Sequence, residues 1–528
     1  MNRTRSIRPN DLAPGIRLGV LAAACLATCT AALLAMPAQA QDADGGVDAE
    51  GPPPRLWIEP RISAGATLSS NGNLSGNGRS ELTLELSPGV RVVANTPRVQ
   101  GFIDYSLTGL TYLQDTSRSN LRNALSAAAT VEAWDNRAFV DLGATITGDS
   151  ISVLGVQRGD SLSDANRSET RSLSVSPYWR GPLAGDIDME LRYALSASDT
   201  DTGSRSDVTQ QTASVSLARL PAGRLLGWTA SLNSSQTDYS LTRDTRSDQA
   251  QVGLIVSPTA QLSVTLTAGR ERNDIITLQE ASYDNTGLAV EWRPSTRTRL
   301  AVSAQKRYFG TGHDISLEHR SGLTVWRYTD TRDANNTPLQ AINASLGSVF
   351  DLFDALYTGI EPDPVRRAQL INAELQRLGL DPDTELLQSF LASSATLQRV
   401  QELSVALVGQ RSTITFALGR SDQRRLSTVD LGNGDDFDSV DSIQQQSVSL
   451  RLAHRLTQRL SLNAELRRQN TQTGLAAVDN RINSVTVGLS ARLAPRTTGS
   501  VRLRHAVSRG ASNGYTDTAI GGLITHRF

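Results

Sequence analysis

The side chains that could act in catalysis are few, and the histidines are the first to consider. The sequence contains five of them: His313, His319, His454, His505 and His526. His313 is followed closely by Asp314 and Ser316, so a base, an acid and a hydroxyl lie together in a predicted loop. This trio has the composition of a hydrolase triad, but nothing around Ser316 indicates an activated nucleophile. A hydrolase is therefore the weakest interpretation, and no catalytic residue is predicted.

An acidic, glycine-rich stretch could bind a cation. Five aspartates fall within twelve residues: Asp430, Asp435, Asp436, Asp438 and Asp441. Oxygen-rich loops of this kind can hold calcium. Their spacing matches no EF-hand loop, and an acidic loop of this composition is also expected at any solvent-exposed connection. Calcium is therefore only weakly indicated, and no cofactor is predicted.

Charged side chains at every second position form a third candidate set. Its members are Glu81, Glu85, Arg91, Asp104, Asp188, Glu190, Arg192, Glu465 and Arg467. Apolar residues such as Leu82, Leu84 and Leu86 occupy the positions between them. Strict alternation predicts a β-strand with one apolar and one wet face, and charges of both signs fit a water-filled lumen better than a packed core. We predict that these residues line the lumen. One interpretation is that they select solutes, and mutual neutralisation that keeps the lumen open is at least as good an interpretation.

Short and long connections between these strands alternate. Short ones contain turn residues such as Pro97, Asp135 and Gly223, whereas long polar ones cover residues 69–79, 148–169, 198–207, 236–247, 270–281, 421–442 and 470–481. Outer-membrane barrels have short periplasmic turns and long outer loops in this alternation. The sequence therefore predicts an all-β fold, a transmembrane antiparallel up-and-down barrel over residues 56–528.

The number of strands must be even if the chain starts and ends on the periplasmic side. A single strand over residues 313–328 would make the total odd, so we predict a tight turn near Arg320–Gly322 instead. This gives about 22 strands, within a range of roughly 18–22, each long enough to cross a bilayer.

Aromatic residues predict where the membrane boundary lies. Near the short connections or the start of the first strand are Trp57, Trp134, Trp179, Trp228 and Trp292, a predicted periplasmic girdle. Trp326 is the exception. His454 and His526 share the spacing of lipid-facing residues near the same boundary.

The last residue, Phe528, resembles the ending that the barrel assembly machinery recognises, and it predicts a strand that closes the barrel on the first one.

One segment has a helical period instead. Within residues 331–399, Leu339, Ile342 and Leu346 fall three or four positions apart, and Pro364 can open a second helix. Its apolar stripes need a surface to cover them. We predict a helical insert on the outer side that folds into the barrel mouth as a lid or plug.

The N-terminus carries an export signal. Arginines precede an apolar run that ends in a small-residue site at Ala40, so residues 1–40 are a predicted signal peptide and residues 41–55 a short periplasmic segment. Cys25 and Cys29, the only cysteines, lie inside this leader. A net charge of −1 gives no reason to expect a nucleic-acid partner. The predicted location is the outer membrane.

Several strand sequences and the helical insert resemble the outer-membrane proteins associated with PEP-CTERM protein-sorting systems. The similarity lies in Ser87–Val92, Val99–Leu107, Phe139–Asp141 and Leu397–Leu407. The resemblance implies a barrel in bacteria that couple exosortase sorting to exopolysaccharide production. It implies no catalytic residue.

We therefore expect a pore or export barrel whose partners are outer-membrane lipid, the assembly machinery, and a polysaccharide or sorted-protein cargo. A structural or adhesive barrel without transport is the main alternative, and a barrel-embedded hydrolase is a second one. TonB-dependent-type receptors also have about 22 strands. They need a large N-terminal plug, and only residues 41–55 precede the predicted barrel, so this class is not expected.

Overall fold

The computed structural model describes the barrel and parts of its connections. Described are residues 55–156, 166–201, 206–241, 243–335, 395–426, 435–474, 479–510 and 514–528, with 367, 370, 371, 375, 387 and 390–392. The predicted signal peptide, nearly all of the segment 41–55 and most of the insert lie outside these residues. Within the described part, no helix is long and apolar enough to cross a membrane.

The described residues form one sheet of 22 antiparallel strands. The strands are β1 (Leu56–Ser69), β2 (Glu81–Asn95), β3 (Val99–Tyr112), β4 (Asn120–Trp134), β5 (Ala138–Ser150), β6 (Arg167–Ala184), β7 (Ile187–Thr200), β8 (Val208–Arg219), β9 (Leu226–Tyr239), β10 (Thr245–Thr259), β11 (Leu262–Asn273), β12 (Ala281–Ser295), β13 (Thr298–Arg307), β14 (Gly310–Arg320), β15 (Thr324–Asn335), β16 (Thr396–Val408), β17 (Ser412–Arg425), β18 (Ser442–Arg455), β19 (Leu460–Gln472), β20 (Asn480–Ala494), β21 (Thr497–Gly510) and β22 (Tyr515–Arg527). Short 3-10 turns lie at Thr116–Arg118 and Asp436–Asp438.

The sheet closes on itself. Each strand pairs with its sequence neighbours, and β22 pairs with β1 from Arg61 opposite Arg527 to Ser69 opposite Ala519. Phe528 follows directly after β22, and its N–H donates to the Pro60 carbonyl at 3.0 Å. Closure leaves no strand edge with unpaired backbone groups, which is the condition for a sheet in lipid. The predicted barrel of 22 strands is confirmed.

The outer surface of the cylinder is apolar. Leu84, Leu86 and Leu466 are 42%, 53% and 51% exposed, although their types are normally buried. The residues between them in sequence face the interior and are polar. Such an inverted pattern, apolar outside and polar inside, is the arrangement of a membrane barrel.

The two ends of the barrel differ. At one end, here named the short-turn rim, connections such as 96–98, 135–137, 185–186 and 296–297 are two or three residues long. The opposite end is the long-loop rim. The predicted turn near Arg320–Gly322 is found at residues 321–323 of the short-turn rim. There too, a hydrogen bond from Arg219 and contact with Arg224 hold the pKa of the Asp186 carboxyl below its ordinary value.

Strands continue into several of the predicted long loops. Residues 245 and 246 of β10 pair with residues 237 and 236 of β9, and all four lie inside the predicted loop 236–247. Backbone pairing needs no apolar face, so polar strands extend beyond the band where alternation reveals them. The hairpin between β13 and β14 is the exception to the long loops, because only Tyr308 and Phe309 connect these strands at the long-loop rim.

The predicted bounds of the insert, 331–399, are wrong at both ends. Residues 331–335 belong to β15 and pair with 396–400 of β16, ending at Asn335 opposite Thr396. Ladder pairing of polar residues overrides the helical spacing there. Between the strands, Arg367, Leu370, Ile371 and Leu375 are helical. A third predicted helix around Leu387–Leu391 is wrong where it is described, because Leu387 lies in a bend and Phe390 forms a β-bridge to Ser150. The remaining predicted helical residues lie outside the described part.

Candidate functional site

The nine predicted lining residues lie on the inward face of the wall. Arg91 pairs in register with Asp104, and Arg451 with Glu465, so each pair projects on the same side of the sheet. This side is opposite the exposed leucines. A role for these residues in solute selection stays a prediction.

Most charges on this wall neutralise one another. Asp104 is 2.5 Å from the Arg61 guanidinium and 3.9 Å from Arg91. Glu465 is 3.0 Å from Arg451. Salt bridges of this type remove the free charge that would attract or repel a solute. The wall therefore resembles the neutralised alternative more than an open selectivity filter.

Arg192 is the centre of one such group. Its guanidinium is 2.8 Å from Asp141 and 2.9 Å from Glu190, and it lies 4.0 Å from the ring centre of Tyr178. The ring and two carboxylates fix its position against the wall.

The other lining residues differ in environment. Glu81 is only 4% exposed and accepts hydrogen bonds from the N–H groups of Gln114 and Asp115 at 2.9 and 3.1 Å, so it anchors the β3–β4 loop. Arg467 donates to the amide oxygen of Gln469 at 3.2 Å. Glu85 and Asp188 form no ion pair with any residue that the structure describes.

The predicted tryptophan girdle needs two corrections. Trp57 pairs with the buried Val93 and shares the face of Glu59 and Arg61, so it points inward and not toward lipid. Trp326 is the third residue of β15, near the short-turn rim, and is 45% exposed on the outer face, so it is no exception. The outward set at this rim is Trp134, Trp179, Trp228, Trp292 and Trp326.

The predicted loop trio around His313 is also wrong. His313 lies inside β14, and its Nε2 is 3.1 Å from the Asp330 carboxylate. Asp314 and Ser316 alternate with it and point to the opposite side of the sheet. A base facing outward cannot activate a hydroxyl facing inward, so the trio forms no triad.

Three other histidines make one repeated contact at the short-turn rim. His319, His454 and His526 each face outward near the end of a strand, and each ring Nδ1 lies 2.7–2.9 Å from a hydroxyl on the preceding strand. The hydroxyls belong to Thr298, Ser412 and Thr497. His505 makes a similar contact with Thr518 at 2.8 Å nearer the other rim. These imidazoles fit the polar boundary of a lipid layer, and none has a catalytic partner among the described residues.

The acidic stretch has a structural role where it is described. The Asp435 carboxylate accepts from the Phe437 N–H at 3.0 Å, and the Asp436 carboxylate accepts from the Val153 N–H at 2.9 Å. Among the described residues, no three His, Cys, Asp or Glu side chains group as metal ligands. Asp430 lies outside the described residues, and Asp438 and Asp441 stay a weak prediction.

The bond from Val153 to Asp436 crosses the mouth of the barrel. Val153 follows β5 and precedes β6, whereas Asp436 lies between β17 and β18. In a ring of 22 strands, β17 is the eleventh after β6, which is diametrically opposite. The backbone diameter of such a barrel is roughly 40 Å. Loops that touch from opposite walls must therefore cover the opening.

An apolar cluster, here named the mouth cluster, packs at this crossing. Its buried members are Val153, Phe390, Ala392, Phe437, Val440 and Ile443. The rings of Phe390 and Phe437 are 6.3 Å apart, and the Leu391 N–H donates to the Ser150 carbonyl at 3.0 Å. The end of the insert thus lies between the two crossing loops. The signal for this cluster in the sequence is the set of apolar residues Phe437, Val440 and Ile443, which lie three positions apart in an otherwise polar stretch.

A second buried cluster extends the cover. Leu74 of the β1–β2 loop packs on Ala506 and Tyr515 of the inner wall, with Val156 of the β5–β6 loop against it. The β5–β6 loop therefore contacts residues from two other parts of the long-loop rim. Buried apolar contacts of this kind hold a loop in place on the order of 1 kcal/mol per side chain or more.

The fold resembles solved barrels, although no family model and no curated protein matches the sequence. The FrpB iron transporter of Neisseria meningitidis, in its apoprotein form, has a TM-score of 0.51 at 10% identity, over 89% of this chain and 81% of that one. The siderophore receptor PirA of Pseudomonas aeruginosa has a TM-score of 0.44 at 10% identity, over 89% and 80%. The likeness to FrpB establishes an outer-membrane barrel fold and leaves the substrate undetermined.

Proposed function

We propose that this chain is an outer-membrane transport barrel whose outer mouth is gated by the mouth cluster. The observation that supports this most is the contact between Val153 and Asp436 from opposite walls. A purely structural cylinder has no need to close its opening with a buried apolar cluster. A gate does, because it must block the lumen at rest and still be able to separate.

The proposed cargo class is secreted polysaccharide or exosortase-sorted protein. This part rests on the resemblance to PEP-CTERM-associated barrels. An inner wall of neutralised charges suits a large neutral polymer, since a charged wall would bind or repel an ionic one. The fold neighbour FrpB is described as an iron transporter, which supports transport as the general role.

The structural barrel remains a second candidate because the lumen charges are paired. Arg61–Asp104 and Arg451–Glu465 would stabilise the wall of a barrel that transports nothing. The two candidates differ in one property, which is whether opening the mouth gives a continuous aqueous path.

The test is conductance of the purified full chain in planar bilayers. Deleting residues 338–393, joined by a short Gly-Ser link, keeps β15 and β16 intact and removes Phe390 and Ala392. We expect small or closed currents from the wild type and larger steady currents from the deletion.

A point variant gives the same test with less change. Phe437→Asp places a charge in the mouth cluster and should raise conductance, because an unpaired buried charge is strongly unfavourable there. Leu278→Asp is the matched control, since Leu278 is 62% exposed in the β11–β12 loop. If the wild type, the deletion and Phe437→Asp all insert into the bilayer and none of them conducts ions, the result would support the structural barrel.

A further inference from the structure

A belt of polar side chains surrounds the outer surface of the barrel just beyond its apolar band, toward the long-loop rim. On β6, β10, β11, β16 and β17, arginines of this belt have carboxylate partners. The pairs are Arg171–Glu169, Arg246–Asp248, Arg270–Asp284, Arg272–Glu280, Arg399–Asp330 and Arg420–Asp422. Arg332 and Arg424 face outward in the same belt without an ion pair among the described residues, but Asp330 and Asp422 lie two residues away on the same face of each strand. Outward-facing charge on these strands therefore has a carboxylate close by.

Strands β19 to β21 depart from this rule. Arg468, Arg481 and Arg509, here named the arginine patch, are exposed and share the outward face of Leu466, Val485 and Leu503. None of the three forms an ion pair with any residue in the described part of the chain. The connections that flank them add one carboxylate, Asp479, which accepts hydrogen bonds from Thr473.

The register places like charges together. Arg481 lies directly opposite Arg509 on the neighbouring strand. On the other side, Arg481 faces Asn470 and Arg468 faces Asn483, so Arg468 and Arg481 are diagonal neighbours. Directly opposed residues have Cβ atoms about 5 Å apart, and like charges in such pairs destabilise a sheet. An anion between them would convert this repulsion into attraction.

The position of the patch indicates where that anion comes from. Arg468 is two residues beyond Leu466 on the same face of β19, about 7 Å along the strand. Leu466 is 51% exposed in the apolar band. The guanidinium groups therefore lie at the depth of lipid headgroups, where phosphate is the anion that Arg binds best.

We propose that the arginine patch binds a glycolipid of the surrounding leaflet whose headgroup carries more than one phosphate. The three guanidinium groups lie on adjacent strands and span about 10 Å, which matches two phosphates at opposite ends of a disaccharide headgroup. The amides of Asn470 and Asn483, on the same face, are suited to the hydroxyls of a sugar that links them. The inference depends on the membrane position in the proposed function and does not depend on an open pore.

The experiment measures lipid binding to the full chain purified in detergent, by native mass spectrometry. The probes are bisphosphorylated lipid A, the same lipid with its phosphates removed, and inorganic phosphate as a competitor. The test variant is R468Q/R481Q/R509Q. Its matched control is R246Q/R270Q/R272Q, which removes three belt arginines that have carboxylate partners.

The wild type and the control should bind the bisphosphorylated lipid about tenfold or more tighter than the phosphate-free lipid, and the test variant should lose this preference. Equal weakening of both variants, no discrimination between the lipids, or displacement by equimolar inorganic phosphate would overturn the proposal. The last result would identify a site for free phosphate.

A second readout covers the case in which the triple variant does not fold. Arg509→Gln alone relieves the like-charge pair, so it should raise the urea midpoint of the barrel in lipid-free detergent. Added bisphosphorylated lipid should stabilise the wild type more than this variant. A lower midpoint in lipid-free detergent would mean that Arg509 has a structural partner, and the proposal would fail.

Discussion

At the closing seam of the barrel, the carboxylate of Asp517 contacts side chains and backbone from several elements. Its carboxylate is fully buried, 2.6 Å from the Arg504 guanidinium and 2.7 Å from the Ser69 hydroxyl. The Asn71 N–H also donates to it at 3.2 Å. One side chain of β22 thus connects β21, β1 and the loop after β1.

Replacing Asp517 with Ala should weaken the seam strongly. The change removes the carboxylate 2.6 Å from Arg504, which is 7% exposed, and loss of one partner of a buried pair costs about 3–5 kcal/mol. The measurement is the urea midpoint of the folded barrel, followed by its heat-sensitive mobility on gels.

The exposed pair Arg270–Asp284 provides the control. Its side chains are 71% and 87% exposed, so Asp284→Ala should change the stability by about 1 kcal/mol or less. Equal midpoints for the Asp517 and Asp284 variants would mean that the seam pair does not hold the barrel closed.

The direction of individual side chains was only partly predictable from the sequence. Leu82, Leu84 and Leu86 could be placed because strict alternation fixes which face they share. The predicted positions of Trp57 and Trp326 are wrong because closeness to a turn does not determine which face a side chain occupies. Its place in the alternation does. His313 was misplaced because β14 is short and polar, and such a strand resembles a loop.

Among the larger elements, β15 and β16 extend further toward the insert than its helical period indicates, so the insert is shorter than predicted. Asn335 pairs with Thr396, and the Arg399 guanidinium is 2.7 Å from Asp330, a carboxylate that is 3% exposed. The last strand residues before and after the insert are polar, so hydropathy alone could not separate them from it.

Two deletions of the insert should therefore behave differently. Removal of residues 338–393 should leave a barrel of wild-type stability. Removal of 338–399 also deletes Thr396–Arg399, which are four positions of the β15–β16 ladder and include the arginine paired with Asp330. We expect the longer deletion to unfold at a clearly lower urea concentration. A longer deletion as stable as the shorter one would mean that β16 begins after residue 399.

The contacts of the mouth cluster could not be predicted from the sequence, because the residues that form them are far apart along the chain. Val153 and Asp436 are 283 residues apart, and only closure of all 22 strands brings their loops face to face. The sequence predicted that the insert caps or plugs the mouth, and most of the insert lies outside the described residues. Its described end, Phe390–Ala392, lies among the crossing loops.

For the molecule as a whole, the sequence predicted the fold because a membrane barrel repeats one simple rule. The closing strand follows from the need to pair every backbone group in lipid. Alternation follows from a wall with lipid on one side and water on the other, and the even number of strands from chain ends on the same side of the membrane. The state of the lumen does not follow from that rule. Pairing of Asp104 with Arg61 depends on which strands become neighbours and on their register.

The account depends above all on a cylinder with lipid outside and water inside. A direct measurement uses single-cysteine variants along β19, at Leu462, Asn463, Ala464, Glu465, Leu466 and Arg467, each carrying a polarity-sensitive fluorophore. Because Cys25 and Cys29 lie in the predicted leader, the exported chain should need no cysteine removed. In vesicles of brominated lipid, the fluorophores at positions 462, 464 and 466, which face lipid, should be quenched. The fluorophores at 463, 465 and 467, which face the lumen, should not be quenched. Uniform quenching, or none along the whole strand, would contradict the barrel.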